Sequence, residues 1–549
     1  TIFAPFWSRF MRQHVRFTLL VIIFGIAGFA CVEPAADTGC ENPLMQAENC
    51  AVCKDDRKTG PDCTECIDPK FTGEQCNICA DEIFSGPACD QCTNSRFAAP
   101  ECTECADPFY GGENCDEPRT LYVDDLRDGK TGTGSEEDPF RDLQAAIDAV
   151  PDGATLNLAP GTYIASAETY DDPGCGNCDD TTYANGAKAT RGFLVEGKSI
   201  HLVGASKDET ILETRAGYGL LFTDAGTSSV KSLKITGGIR DADSNATDAG
   251  IVVRFTTLTV EDVSVSENDD LYEGPEPDPV VGVGGIFGRE GSDITVLNSI
   301  VENNSWDGIA LYRGVPGQPE TAPRAYVEGT RIGCTIFCTN PRGRGVGLAA
   351  TWDAQLTAVG NSIHHYWKGL GSFGKSRVQA YNNIIRHQIG WGVIASGESE
   401  MHAHNNVIVY NGTTGLASWN LGVSGSFLNN IIYGNGTSAD EWVGKKTGVW
   451  LNADPFLFEF SYNLVWDNAD FNVCTGGIPN DPANPCEEID FAGKDGNISE
   501  DPGFVSSSDF HLQSDSPAVD TGDPDLEDDD GTRSDMGVYG GLEAPESLP

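Results

Sequence analysis

From about Gly192 onward, short runs of β-branched and aliphatic residues alternate with breaks at Gly and Asn, and the breaks recur at a regular spacing. The segment NSIHHY, starting at Asn361, is followed by NNIIRH, NNVIVY and NNIIYG, so that the anchors Asn361, Asn383, Asn406 and Asn430 recur at a nearly constant interval. A second anchor keeps step at Gly347-Leu348, Gly369-Leu370, Gly392-Val393 and Gly415-Leu416, with earlier copies at Gly285-Ile286 and Gly308-Ile309. The interval, from Asn383 to Asn406 for example, matches three short strands and three turns, one rung of a solenoid. The aliphatic residues Ile363, Ile385, Ile408 and Ile432 are then expected to stack inside as a ladder. Asn tolerates the left-handed turn conformation and can bond to copies of itself along the axis, while Gly permits a sharp corner.

Residues 119–163 read differently, as a strand TLYVD, an acidic Gly-rich loop, a helix and a strand ATLNLAPGTY. Asp138 is the expected N-cap with Pro139 in the first turn, and Phe140, Leu143, Ile147 and Val150 fall on one face. Such a helix would cover the open end of a stacked core. Residues 164–500 then form the rungs and 501–549 a closing segment. The pattern over roughly residues 120–520 resembles the right-handed parallel β-helix of the pectate-lyase superfamily, an all-β solenoid. Leucine-rich repeats are the competing solenoid, but Leu-x-x-Leu-x-Leu is absent and no helices separate the strands. The stretch DPGFVSSSDFHLQSDSPAVDTGDPDLEDDDGTRSDMGVYGG resembles the closing segment of secreted bacterial β-helix surface proteins.

A different repeat occupies residues 32–118. Cysteine recurs at every thirteenth position in two interleaved series, one of Cys40, Cys53, Cys66, Cys79, Cys92 and Cys105 and the other of Cys50, Cys63, Cys76, Cys89, Cys102 and Cys115. Each unit reads C-x(9)-C, as in CIDPKFTGEQC, CADEIFSGPAC and CADPFYGGENC. Paired C-x-x-C motifs can hold zinc, but a regular array with so few apolar residues fits disulfide bridges, which must then supply its stability. The units resemble the final loop of EGF-like and laminin-type EGF modules, although the spacing departs from a full six-cysteine module. Of 19 cysteines, one is a lipidation candidate and the remaining 18 are even in number, the downstream ones being Cys175, Cys178, Cys334, Cys338, Cys474 and Cys486.

That lipidation candidate is Cys31. The chain from Phe17 to Ala30 is an apolar run, too short to span a bilayer and suited to a signal peptide. Arg12, His14 and Arg16 precede it, and Met11 reads as a natural start. The run ends in Gly-Phe-Ala-Cys, which resembles a bacterial lipobox, with Phe29 and Gly28 departing from its usual residues; an ordinary secretory peptide cut nearby is the alternative. Residues 1–31 are thus expected to direct export, with membrane contact only through the lipid anchor, to a compartment where disulfides persist.

Composition narrows the function. The chain of 549 residues carries 83 Asp and Glu against 35 Lys and Arg, a net charge of −48. This repels phosphate backbones, so nucleic acid is not an expected partner. The acidic Asp523, Asp525, Asp528, Asp530 and Asp535 are calcium candidates, though their spacing is not that of an EF-hand.

The resemblance to pectate-lyase-like proteins implies a carbohydrate-active fold, yet the NTD, GHG and RIK motifs of hydrolases and the YG-DPH motif of epimerases are absent. A lyase needs a base beside a cation that neutralises the uronate carboxylate. His365 and His387 each occupy the fourth position after an Asn anchor, with Tyr410 in the same place one rung on. These three are expected to stack, near His364, Lys375 and other basic and aromatic side chains. His365, His387 and Lys368 are the catalytic candidates, and Trp367, Arg377, Arg386 and Tyr410 the candidates for holding an anionic glycan. Trp306 and Trp367 form a candidate carbohydrate stripe. His402 and His404 alternate along one strand without a clear third metal ligand. The sequons at Asn411 and Asn435 arise readily in such repeats. The leading expectation is a non-catalytic surface protein for adhesion or polysaccharide contact; a polysaccharide lyase is the alternative.

Overall fold

The computed structural model describes residues 41–46, 49–125, 131–269, 282–335, 345–438, 445–477, 484–541, 544–545 and 548–549. The expected signal segment with Met11 and Cys31, together with Cys40 and Cys338, lies outside the described residues. The chain divides into two compact units, Thr1–Ala106 and Asp107–Pro549.

In the first unit each repeat closes on itself. Cys53–Cys63, Cys66–Cys76, Cys79–Cys89 and Cys92–Cys102 are bonded, all with the same short separation in sequence. The bonds run within a unit, so these cysteines are not free thiolates for a zinc site. Two residues after the first cysteine, a short polar side chain caps the turn: Asp68 accepts the Lys70 N–H and Asp81 the Ile83 N–H, at 3.0 and 3.1 Å. A two-residue antiparallel pair follows, Phe71–Thr72 with Ile78–Cys79 in the second bonded repeat. Cys63, Cys76, Cys89 and Cys102 adopt left-handed φ of 46–53°. Ile67 and Ile78 are both 59% exposed, so the bridges hold this unit in place of a core. Cys50, Cys105, Cys115 and Cys334 are disulfide-bonded as well.

The second unit is a parallel β-helix. Its strands stack in three parallel sheets, here called A, B and C in the order the chain visits them. One rung runs through Lys368–Ser372, Arg377–Tyr381 and Ile384–Arg386, and each strand pairs in parallel with its equivalent in the next rung. In the early rungs, Tyr218–Lys231 and Ala249–Glu261 continue unbroken from sheet A into sheet B. Sheet C stacks from Gly161–Ile164 to Leu464–Trp466. The expected ladder is present: Ile332, Ile363, Ile385, Ile408, Ile432 and Val465 pair in register and are fully buried.

The Asn anchors divide their labour. The second Asn of each pair points inward: the Asn383 amide donates to Asn406 Oδ1 at 2.9 Å, Asn406 to Asn430 and Asn430 to Asn463. The left-handed conformation belongs to the preceding residue, with φ of 54° at Asn382, Asn405 and Asn429. A second ladder, which the sequence reading missed, joins Gln388, Asn411, Asn435 and Asn468. The two sequon asparagines are therefore buried ladder members. The Gly anchors also differ from expectation. Gly347, Gly369, Gly392 and Gly415 face the interior, and a methyl group at Gly392 would lie 2.4 Å from Gly415 O and 2.8 Å from Ile408. Close packing, not corner geometry, selects glycine there.

Both ends of the coil are tied down. The helix α1, Leu143–Ala149, buries Leu143, Ala146 and Ile147 against the first rungs. Its N-cap is Asp142, not Asp138, because Phe140 pairs with Val123 and keeps the preceding chain extended. The Asp142 side chain takes the Ala145 N–H at 2.7 Å. Gln144 bonds both the N–H and the C=O of Leu194, at 2.8 and 3.0 Å, covering backbone at the exposed end of the stack. At the other end, the chain from 501 folds back along the outside of sheet C. There Phe510, Ala518, Met536 and Val538 pack against Val407, Val409 and Ile431.

Candidate functional site

The basic and aromatic residues singled out in the sequence do not form one patch. His365, His387 and Tyr410 do stack, with ring centroids 5.7 and 5.5 Å apart and interplanar angles of 29° and 16°. They occupy left-handed positions on the corner between sheets C and A. Burial, then His364 and the His387 and Arg386 charges, bring His365 down to about 4. Burial and Arg386 lower His387 as well. Both are neutral imidazoles at neutral pH, packed as rungs of an aromatic ladder. Arg386 lies on the outer side of sheet C. Lys368 instead runs across the outer side of sheet A, its ammonium 5.9 Å from the Phe373 ring and 6.0 Å from Trp391. Arg377 belongs to sheet B and pairs with Glu400 at 2.8 Å. The inward turn of each Gly anchor sets these neighbours in sequence on different faces.

Trp367 packs against Trp391, which continues through Trp419 to Trp450 with centroids 5.0–5.8 Å apart. Trp391 and Trp450 are buried, so this row is packing along sheet A. Trp306 packs in a separate cluster with Phe287 and Tyr312, and the expected Trp306 and Trp367 stripe does not form. His402 and His404 share the Ser426 hydroxyl at 2.8 and 2.7 Å.

The acidic closing segment spends its carboxylates on its own turns. Asp523 accepts the Asp525 N–H, Asp530 the Thr532 N–H, and Asp528 the Asp535 N–H, each at 2.9 Å. Asp535 accepts the Asp520 N–H at 2.7 Å. Among the described residues no group of three or more His, Cys, Asp or Glu is placed to hold a metal. Asp528 and Asp530 lie near Asp535, and burial followed by these neighbouring carboxylates pushes its carboxyl up to about 6.

A buried charge network was not legible in the sequence. Asp172 and Glu290 face Arg254 and Arg289, with Arg254 donating to both carboxylates at 2.8 Å and Arg289 to Glu290 at 2.9 Å. Burial alone would raise the Asp172 carboxyl, but the Arg289 and Arg254 guanidiniums outweigh it and hold it below the ordinary range. Arg289 also donates to Gly174 O at 2.6 Å. These bonds clamp the hairpin of Glu168–Asp172 with the first residues of Ala187–Glu196, whose remainder joins sheet A beside Tyr218–Lys231, and carry the Cys175–Cys178 bridge with it.

The residues after that bridge help build a cleft on the corner between sheets A and B. It has a volume of about 580 Å³ and is bounded by Asp180, Arg313, the loop 314–319, Trp352, Lys375 and Glu398. The Arg313 guanidinium lies between two rings, 4.6 Å from Trp352 and 5.4 Å from Tyr183. It also bonds Cys178 O and the Asp180 carboxylate. Asp353 accepts the Gly314 N–H at 2.9 Å and so fixes the loop. Lys375 faces Glu398 at 3.6 Å.

Trp352 is one of several bulky residues at left-handed corners, with Phe255, Tyr410 and Tyr462. Its φ is +57°, a left-handed conformation that is an outlier for a bulky side chain and costs about 1–3 kcal/mol. The next two corners place Gly374 and Gly397 there, with φ of +73° and +85°. Corner stacks on corner: Lys375 N–H bonds Trp352 O at 2.6 Å and Glu398 N–H bonds Gly374 O at 2.7 Å. A methyl group at Gly397 would lie 2.7 Å from Gly374 O. The result is a tryptophan beside a floor without side chains, flanked by ion-paired groups. The Arg313 guanidinium covers one side of the Trp352 ring, and the rest of the side chain borders the cleft beside polar groups. The sequence reading missed it, although Trp352, Gly374 and Gly397 keep the spacing of the Asn and Gly anchors.

No protein-family model matches the chain, and no curated protein matches it. Among solved structures it is similar to pectate lyase Pel9A, at 14% identity over 77% of this chain and 96% of that one, with a TM-score of 0.39. XylC in complex with xylose is 10% identical over 63% of this chain and 75% of that one, with a TM-score of 0.40. The mannuronan C-5 epimerase AlgE4 A-module of Azotobacter vinelandii is 15% identical over 64% and 91%, with a TM-score of 0.33. The strand register carries the assignment, and this chain is a parallel β-helix preceded by a disulfide-rich repeat.

Proposed function

We propose that this is an exported, non-catalytic β-helix protein that binds polysaccharide, with a sugar ring seated against Trp352 in the cleft between sheets A and B. The observation that carries the reading is Trp352 itself. An aromatic side chain borders the cleft at a corner where the following rungs place glycine, and a left-handed outlier beside a cleft is a lead to function. Stacking of a sugar face on the ring, with the cleft walls supplying hydrogen bonds, is the recognition this geometry supports.

Export is proposed from the disulfides, which persist in oxidising compartments, and from the signal-like segment ending at Cys31, the proposed lipid anchor. The cysteine repeat is proposed to be EGF-like. A lyase reading gains no support from the geometry, because His365 and His387 stand on the C–A corner while Lys368 extends toward Phe373.

Calorimetric titration with a panel of neutral and uronic-acid oligosaccharides tests the reading. Trp352→Gly removes the ring while keeping a residue suited to positive φ. It is expected to abolish saccharide binding and leave thermal stability equal or higher. Retained binding in the variant, or unsaturated uronide released by the wild type, would overturn the proposal.

A further inference from the structure

The geometry points to an extended neutral polysaccharide as the ligand, lying along the A–B corner from the Trp352 cleft to a second aromatic platform at Phe456. This inference rests on the reading of the cleft as a saccharide site and names the ligand class and its path.

Charge argues for a neutral chain. The cleft presents three carboxylates, from Asp180, Asp353 and Glu398, and its two cations are already engaged, Arg313 with Asp180 and Lys375 with Glu398. Carboxylates outnumber cations in the cleft, which disfavours a uronate there. The net charge of −48 further opposes the approach of a polyanion.

The path is set by the stacking of corners. Beyond Gly397 the next corner carries Asn420, whose amide accepts the Gly397 N–H and donates to Gly397 O, each at 2.8 Å. The corner after that is the turn from Asp454 to Leu457, which joins Thr447–Leu451 of sheet A to Phe458–Ser461 of sheet B. Four steps of about 4.8 Å separate the Trp352 corner from this turn, a straight run of roughly 19 Å.

Phe456 stands at the end of that run and is 95% exposed. Its backbone is held in the turn: its N–H bonds Asp454 Oδ1 at 2.9 Å, the Leu457 N–H bonds Asp454 O at 2.8 Å, and Pro455 lies between them. Leu421, on the preceding corner, is 71% exposed. An uncovered aromatic ring on this turn leaves apolar area in water that a partner would bury. A polymer lying on the straight column of corners reaches this ring from the cleft without a bend.

The full chain titrated with gluco- and manno-oligosaccharides from disaccharide to octasaccharide tests the path. Affinity is expected to rise with length, and Phe456→Ala to weaken octasaccharide binding roughly fivefold while leaving disaccharide binding unchanged. Phe456→Tyr, which keeps the ring, is expected to bind as the wild type does. Octasaccharide affinity unchanged in Phe456→Ala, with Trp352→Gly still abolishing binding, would overturn the path and spare the cleft. An oligogalacturonate bound more tightly than neutral chains of equal length would overturn the neutral assignment. Absence of binding to every saccharide would overturn the cleft reading itself. Self-association lost in Phe456→Ala would assign the turn to a second copy of the chain and likewise overturn the path.

Discussion

Asp307 shows how one residue couples the solenoid to pH. It is buried, accepts the Val346 N–H at 2.7 Å, and burial pushes its carboxyl up to about 6. Because the folded-state value lies above the unfolded one, the native state holds more protons between about pH 4 and pH 6, and stability falls as pH rises through that window. Asp307→Asn keeps an acceptor for Val346 without the charge. It is expected to match the wild type near the acid end of the window and to be more stable at neutral pH by on the order of 2 kcal/mol, read from chemical denaturation. Equal stability at both pH values would show that folding does not raise the Asp307 carboxyl. Nothing in the sequence around Asp307 marks it as buried beside Tyr312. Spacing revealed which residues share a column, but the inward turn at each Gly anchor decided which side chains share a face.

At the scale of elements, the ladders and the closing segment act together. The outward Asn of each pair serves as a dock, Asn382 donating to Val538 O and Gly540 O at 3.0 and 2.8 Å and Asn405 to Asp535 O at 3.0 Å. Asn405→Gly preserves the left-handed turn and removes only the dock. Hydrogen exchange across residues 535–540 is expected to speed up while the global unfolding midpoint shifts little, because the inward Asn406 ladder remains. Unchanged protection of that segment would remove Asn405 from the docking role. The repeated Asn-Asn motif made the inner ladder legible. The role of its first member was not, since it is defined by a chain segment far away in sequence. The Trp352 cleft escaped for a similar reason: Arg313 and Asp180 meet only because the buried Asp172 network folds the hairpin back onto sheet A.

For the whole molecule, the excess of acidic groups has consequences that sequence and structure read alike. A net charge of −48 makes the chain repel itself, so added salt is expected to raise thermal stability. Binding of a neutral saccharide is expected to be indifferent to the same change in ionic strength. Affinity that varied steeply with salt would indicate a charged ligand instead. The solenoid and the cysteine repeat were readable because each is built from a period. The ligand surface was not, because it depends on where three non-repeating features, the loop 314–319, the hairpin and the Asp454 turn, meet the repeating corners. A crystal structure of the protein soaked with a neutral oligosaccharide addresses this directly. The account predicts sugar density over Trp352 and along the A–B corner, and density confined to the His365 and His387 stack or to the outer side of sheet A would contradict it.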